Sequence, residues 1–433
     1  MTPAARLSAA IEVLDAIDAN RSPAQTALKE WGTAHRFAGS GDRAAIAGLV
    51  FDALRRRSSS AYLLDDDSSR ARLLGALRLE RRLDTDAIAA LCNGERFAPA
   101  PLSDAERSAL NSRTLDDAAP EIAGDYPAWL DSHLAEAFGA DRVKEAAAMA
   151  SRAPLDLRVN TLRAKPEKAQ VALSHLGAKP TPWSPLGLRI VLGADARNPG
   201  VHAEEIFIKG GVEVQDEGSQ LAALLTQAKP GEQVIDLCAG AGGKTLALAA
   251  MMQGKGRLIA TDRDKRQLAP IHERLSRAGV HNAEIRAPKG AENPLSDIKA
   301  TADLVVVDAP CTGTGTWRRN PDAKWRMRPG ALEVRLKDQA EVLERAAALV
   351  KPGGRIAYIT CSVLPQENSG QIEAFTASHG EFVAVPSAEV IGALGDRASE
   401  FGKAVRQSPQ GLLMTPLRTG TDGFFVSILR KAG

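Results

Sequence analysis

The sequence predicts a multidomain fold: an all-α N-terminal domain over residues 1–143, a small α/β subdomain over 144–209, and a doubly wound α/β domain over 210–433. Three observations predict it. At 433 residues the chain is too long for one ordinary core. The first third carries helical periodicity with no strand pattern. The last half alternates β-branched runs with helical segments, as a parallel sheet covered on both faces requires.

Composition narrows the class. Hydrophobic residues at 44% and charged residues at 25% suit a soluble globular protein. No apolar run reaches membrane-spanning length, and "MTPAARLSAA" lacks the basic-then-apolar order of a secretion signal. Four cysteines, Cys92, Cys238, Cys311 and Cys361, include no CxxC pair. Neither a zinc site nor a disulfide framework is therefore expected, and a reducing cytoplasm is the expected compartment. A net charge of +2 does not argue for nucleic acid, so local clusters must carry that case.

Along the helical part, Ser22-Pro23 reads as an N-cap followed by proline at the first helical position. "GDRAAIAGLVFDALRRR" places Ile46, Leu49, Val50 and Leu54 on one face and ends in three arginines. "TDAIAALC" is a further helix, and Pro99 and Pro101 mark a loop. After two more helical segments from "YPAWLDSHLAEAFG", the strand-like "PLDLRVNTL" and "LGLRIVL" flank a helix, "PEKAQVALSHLG". This unit is expected to end near Lys209. From Gly210, "EQVIDLCAG", "GRLIATDRD", "ADLVVVDAPC" and "GGRIAYITCS" are β-rich runs separated by helices, and "DGFFVSILRK" reads as a last strand returning antiparallel to the edge.

"VIDLCAGAGGKT" follows a strand and opens a helix, where glycines let a ligand approach the backbone. A Walker A loop needs glycine where Cys238 stands, and a dinucleotide GxGxxG needs it at Thr245. What remains is a G-x-G-G turn, Gly240 to Gly243, behind Asp236. Such a turn suits S-adenosylmethionine, which has a charged methionine end and a ribose but no pyrophosphate; the alternative is a turn serving strand–helix packing. Asp262 ends the next strand nineteen positions past Gly243 (262 − 243 = 19), where a carboxylate can accept both ribose hydroxyls.

Cys311 and Cys361 each end a strand, and ligands of a parallel sheet bind beyond those ends. Neighbouring strands lie about 4.8 Å apart, so two thiols could reach one substrate. The bland alternative is a pair of small buried hydrophobes. A methyl donor beside paired thiols suits methylation at carbon 5 of a pyrimidine, where a thiolate adds at carbon 6 and makes carbon 5 nucleophilic. Which thiol attacks is left open by the residues themselves.

Taken together, "DAPCTGTG", "TCSVLPQENSGQI", "LCAGAGGKT", "GGVEVQDEGSQLAALL" and "DGFFVSIL" resemble the RNA (cytosine-5) methyltransferase family, the Sun/RsmB-like group. "GDRAAIAGLVFDALRRR" resembles the NusB-like RNA-binding domain of bacterial members that modify 16S ribosomal RNA, and "YPAWLDSHLAEAFG…PLDLRVNTL" resembles their small RNA-recognition-like subdomain. The resemblance implies a Rossmann-like class I methyltransferase domain. It implies Cys361 as nucleophile, Cys311 in proton removal and release, and Asp308 on the N3 and N4 edge of the base. Cys238, Ala239, Gly240, Ala241, Gly242, Gly243, Lys244, Asp262 and Asp308 are implied to bind S-adenosylmethionine. A monomer acting on 16S ribosomal RNA is expected, with no metal and no membrane. A transfer RNA substrate, or a non-catalytic RNA-binding assembly factor, are the alternatives. Position 241 is alanine where the family's loop commonly has proline. Lys289 stands near the place of the family's adenine-binding acid, with Glu284 or Glu292 as substitutes.

"TWRRNPDAKWRMRPG" sets Arg318, Arg319, Lys324, Arg326 and Arg328 against Asp322, interleaved with Trp317 and Trp325. Basic residues with aromatics suit phosphate neutralisation and base stacking, while the alternative is a solvated loop. Methylating a ring carbon requires the base to leave its stack, so single-stranded RNA is expected. Arg55 to Arg57, Arg158 and Asn160 are further candidate RNA contacts.

Overall fold

The computed structural model describes residues 1–193, 199–288 and 293–433. They form two compact units. The first comprises Met1–Ala153 with the strap Trp317–Pro329 and the residues around Leu192; the second holds the rest.

The regular secondary structure of the first unit is all helical among its described residues. Thr2 caps its opening helix, Pro3–Asn20, by accepting from the Ala5 amide at 3.1 Å. The helix Ser40–Arg55 buries Ile46, Leu49, Val50 and Leu54, as the periodicity predicts, against Leu7, Leu14, Leu73, Leu77 and Ile88. The expected Ser22 cap is corrected. The next helix is Ala24–Ala34, the Ser22 hydroxyl has no hydrogen-bond partner, and the Ala24 amide donates to Asp322 of the strap at 3.2 Å. A carboxylate remote in sequence thus satisfies the helix start.

The second unit contains two sheets. In the smaller, β1 (Leu155–Val159), β2 (Lys179–Pro180), β3 (Gly187–Ile190) and β4 (Val212–Val214) pair antiparallel in the order β2-β3-β1-β4. The helix Pro166–Ala172 lies between β1 and β2 in sequence. Strand β4 comes after Lys209, so this sheet takes an edge from beyond the expected end of the subdomain.

The larger sheet contains β5 (Gln233–Asp236), β6 (Arg257–Ala260), β7 (Ala283–Ile285), β8 (Ala302–Asp308), β9 (Val350–Thr360), β10 (Phe382–Ala384), β11 (Arg406–Ser408), β12 (Gly411–Met414) and β13 (Phe424–Lys431). Its order among the described residues is β11-β12-β13-β9-β8-β5-β6-β7, with β10 also paired to β13. Strands β9, β8, β5, β6 and β7 are parallel. Alternate residues serve opposite faces: Val234, Leu304, Val306 and Ala357 enter one core, Ile235, Val305, Val307 and Tyr358 the other. Strand β13 does return antiparallel, pairing Ser427 with Tyr358. It is interior rather than an edge, because the β11–β12 hairpin adds outside it.

The chain runs outward from β5 to β6 and β7, then crosses to β8 and β9 on the other side of β5. Beyond β5 and β8, at this switch of direction, a parallel sheet opens a crevice for ligands.

Candidate active site

That crevice is a cavity of about 560 Å³. It is lined by the loop after β5, by Asp262 after β6, by Asp308 to Cys311 after β8, by Cys361 after β9, and by one face of the helix Ala331–Leu349. Cys238, Ala239, Gly240, Ala241, Gly243, Lys244, Asp262, Asp308, Cys311 and Cys361 all face it. Gly242 does not line it. With φ at +86°, it caps the helix Gly243–Met251, and a Cβ there would lie 2.4 Å from the Ile271 side chain. Glycine is needed for close packing at that point.

The turn is held from both sides. The Gly240 amide donates to Asp262 at 3.0 Å, tying the β5 loop to the end of β6. Arg274 donates to the Ala241 carbonyl at 2.7 Å and is itself paired with the buried Glu213 of β4 at 3.1 Å. An external clamp therefore stiffens the loop at the position where proline is missing. Below the loop, Asp236 is fully buried and accepts from the Thr245 hydroxyl at 2.7 Å. Burial pushes its carboxyl up to about 7. Burial likewise pushes the Cys238 thiol up, so it remains a thiol.

Strands β8 and β9 are neighbours, with Asp308 opposite Ile359, and the ends of both turn into one loop network. The Cys311 and Cys361 sulfurs lie 3.4 Å apart. The hydrogen bond between them, then burial, then the charge of Glu367 hold the Cys311 thiol well above its ordinary value. Asp308 is one-third exposed and paired with Lys244 at 2.6 Å, while Lys244 lies 5.1 Å over the Phe424 ring.

Glu367, fully buried, braces the Cys311 loop. It accepts the Thr312 amide at 2.8 Å, the Thr312 hydroxyl, and the Gln339 amide at 3.0 Å, while Gln339 also donates to the Pro310 carbonyl at 2.9 Å. Further along the same loop the Gly315 amide donates to the Cys361 carbonyl at 2.9 Å. Sequence reasoning missed Glu367, Gln339 and Arg274, because a polar residue on a helix or in a turn gives no sign that it will be buried.

Four of the five expected RNA contacts are corrected. Arg158 is 2% exposed and donates to Gln215 at 2.6 Å, and burial pulls its guanidinium down to about 10. Asn160 is 2% exposed and clips the Gly210 and Ala278 carbonyls, each at 2.9 Å. Lys324, 1% exposed, donates to the Arg55 carbonyl at 3.2 Å, and Arg318 is 4% exposed. Charges enclosed in the fold have no surface to offer a phosphate. Arg319 is half-buried. Arg55 pairs with Asp52 at 3.6 Å and Arg56 with Glu80 at 2.9 Å, leaving Arg57 the most open of the three. Glu284 does not line the cavity, being clamped by Arg257 at 2.9 Å and Arg286 at 2.7 Å. Lys289 and Glu292 lie outside the described residues. Among the described residues, no group of His, Cys, Asp and Glu is arranged to hold a metal, and no helix is long and apolar enough to cross a membrane.

Comparison with known proteins places this architecture. Residues 223–430 match the family described as 16S rRNA methyltransferase RsmB/F, and residues 126–196 match the ferredoxin-like domain of RsmF/B-like methyltransferases. The ribosomal RNA small subunit methyltransferase B of Sodalis glossinidius is 33% identical over 340 residues, covering 78% of this chain and 70% of that protein. Its counterpart in Klebsiella pneumoniae is 32% identical over 308 residues, covering 71% and 66%. Among solved structures, that of PH0851 superimposes with a TM-score of 0.73 at 25% identity, covering 100% of this chain and 99% of that one. A methyltransferase homolog protein from Pyrococcus horikoshii gives 0.58 at 25% identity over 72% of this chain and 97% of its own. The mixed sheet, the ferredoxin-like subdomain and the sequence matches agree: the chain belongs to the RsmB/F family of 16S rRNA methyltransferases and is a Rossmann-like methyltransferase.

Proposed function

We propose that the protein methylates carbon 5 of cytosine in RNA, 16S ribosomal RNA in particular, with S-adenosylmethionine as methyl donor and through a covalent bond from Cys361 to carbon 6. One observation carries this reading: two sulfurs 3.4 Å apart on the rim of the cavity that also holds the glycine turn. The cavity fits the donor. Backbone amides of the turn and Lys244 border one part of it, and Asp262 stands at the strand end for a ribose. When bound there, S-adenosylmethionine supplies an electrophilic methyl group.

The residues then divide the work. The Cys361 thiolate adds to carbon 6, forming the S–C6 bond and moving the C5–C6 π electrons toward carbon 5, which takes the methyl group. Asp308, backed by Lys244, holds the N3 and N4 edge of the base. Loss of the carbon 5 proton to solvent water, with Cys311 assisting, restores the C5–C6 double bond and expels the Cys361 thiolate. The raised Cys311 thiol supports this division, since it stays protonated and can donate its hydrogen to the Cys361 sulfur. The helical first unit serves as a NusB-like RNA-binding domain, a reading supported by its all-helical structure.

The test is incubation with RNA and labelled methyl donor. Cys311→Ala is expected to accumulate a protein–RNA adduct that survives denaturing gels, because attack proceeds while release stalls. The adduct forming with Cys361→Ala instead would reverse the two roles, and methyl incorporation at another atom would end the cytosine-5 assignment.

A further inference from the structure

The strap Trp317–Pro329 begins one residue after Thr316, the last residue of the second unit before it, and packs among the helices of the first. Its inner face is structural: Lys324 and Arg318 are buried, and the Trp325 indole donates to the Leu54 carbonyl at 2.7 Å. Its outer face is different. Arg326 and Arg328 are exposed, and together with Trp325 they border a cleft of about 640 Å³ whose other walls include Arg21, at the end of the first helix, and Arg57.

The charges of this cleft do not cancel. Asp322 is engaged by the Ala24 amide at 3.2 Å and by Arg326 at 3.1 Å, so its charge serves the helix start. Asp18 is held by the buried Arg72 and reaches Arg57 only at 3.9 Å, while Arg57 also meets Asp67 at 3.5 Å. Arg21 and Arg328 have no ion-pair partner among the described residues. Arg57 lies 5.6 Å over the Trp325 ring, joining a cation to an aromatic face. Two unpaired guanidiniums, two ion-paired ones at the same walls and the exposed part of the half-buried Trp325 make a surface suited to spaced phosphates and to a neighbouring base. A duplex, with its bases enclosed, uses only half of that chemistry.

We propose that this cleft in the first unit binds the phosphodiester backbone of single-stranded RNA through Arg21, Arg57, Arg326 and Arg328, as a site separate from the cysteine cavity. The inference rests on the reading that RNA is the substrate. The assignment moves the RNA contacts of the strap from its buried residues to its outer ones.

The test uses the full chain and a fluorescein-labelled, unstructured single-stranded RNA, followed by anisotropy across a salt series. Arg21→Gln with Arg328→Gln changes two exposed residues, and an unaltered melting curve verifies the fold. The double variant is expected to bind roughly tenfold more weakly, with the log–log salt slope reduced by about 1.4 for two lost phosphate contacts. Its affinity for S-adenosylhomocysteine, read by calorimetry, stays at the wild-type value. Unchanged RNA affinity and slope overturn the cleft, as does weaker binding with an unchanged slope. A wild-type chain that binds no RNA overturns the substrate reading itself, and the cleft with it.

Discussion

Cys311 illustrates how single side chains set this chemistry. Its raised thiol owes most to the Cys361 sulfur and part to the buried Glu367 carboxylate. Glu367→Gln keeps the shape and removes the charge. The pH at which iodoacetamide alkylates Cys311, followed by peptide mass spectrometry, is expected to fall in that variant, and an unmoved midpoint would show that the carboxylate does not act on the thiol. Altered pairing of the Thr312 and Gln339 donors is expected to destabilise the fold by about 1–3 kcal/mol. Asp236 gives a second prediction at this scale. Burial pushes its carboxyl up to about 7 in the fold, above the ordinary carboxylate value of about 4. A folded value above the unfolded one means that stability is fully present below the lower value and is lost as pH rises through the higher. Wild-type protein is therefore expected to lose up to a few kcal/mol relative to Asp236→Asn between about pH 4 and pH 7. Parallel melting-temperature curves for the two proteins would contradict this. The thiols and the turn residues were legible in the sequence because cysteines are few and glycines mark backbone constraints. Glu367 was not, because burial is decided by what packs over it.

Elements place these residues. The loop after β8 meets the start of β13 where Gly315 touches Gly423: the Gly423 amide donates to the Gly315 carbonyl at 2.8 Å, and a Cβ at Gly315 would lie 2.2 Å from the Gly423 carbonyl oxygen. Backbone cannot yield as a side-chain tip does. Gly315→Ala is expected to cost about 1–3 kcal/mol in urea unfolding and to slow formation of the Cys361 adduct, since the Gly315 amide holds the Cys361 carbonyl. The strap supplies a second case. Lys324 is pulled down to about 7 by burial and donates to the Arg55 carbonyl at 3.2 Å, while the buried Asp125 has Arg56 as ion-pair partner at 3.7 Å and accepts the Ser59 amide at 2.9 Å. Removing this buried lysine side chain leaves a cavity and takes the donor from the Arg55 carbonyl, so Lys324→Ala is expected to lose about 2–5 kcal/mol in thermal unfolding. A loss within error of zero would mean that the lysine contributes nothing to holding the strap. Strand and helix identities here follow sequence periodicity closely. The strap reads differently in sequence, because a run of arginines and lysines looks solvated until helices close around it.

Two compact units divide the described residues, one of helices and one of sheet and helices, and the predicted donor site belongs wholly to the second. Ligand binding stabilises what it binds, by about 2.7 kcal/mol at a hundredfold excess over Kd. S-adenosylhomocysteine is therefore expected to slow amide exchange in β5, β6 and β8, with little change in the helix Ser40–Arg55. Protection confined to the first unit would displace the donor site. By itself the sequence determined the doubly wound sheet, the glycine turn and the convergence of two cysteine-ending strands, because alternation, glycine and strand ends are local properties. Only the tertiary structure decided that the hairpin β11–β12 encloses β13, that Asp322 caps a helix almost three hundred residues away in sequence, and which arginines reach solvent. Those outcomes depend on partners distant in sequence, and no local pattern encodes which polar group another segment will cover.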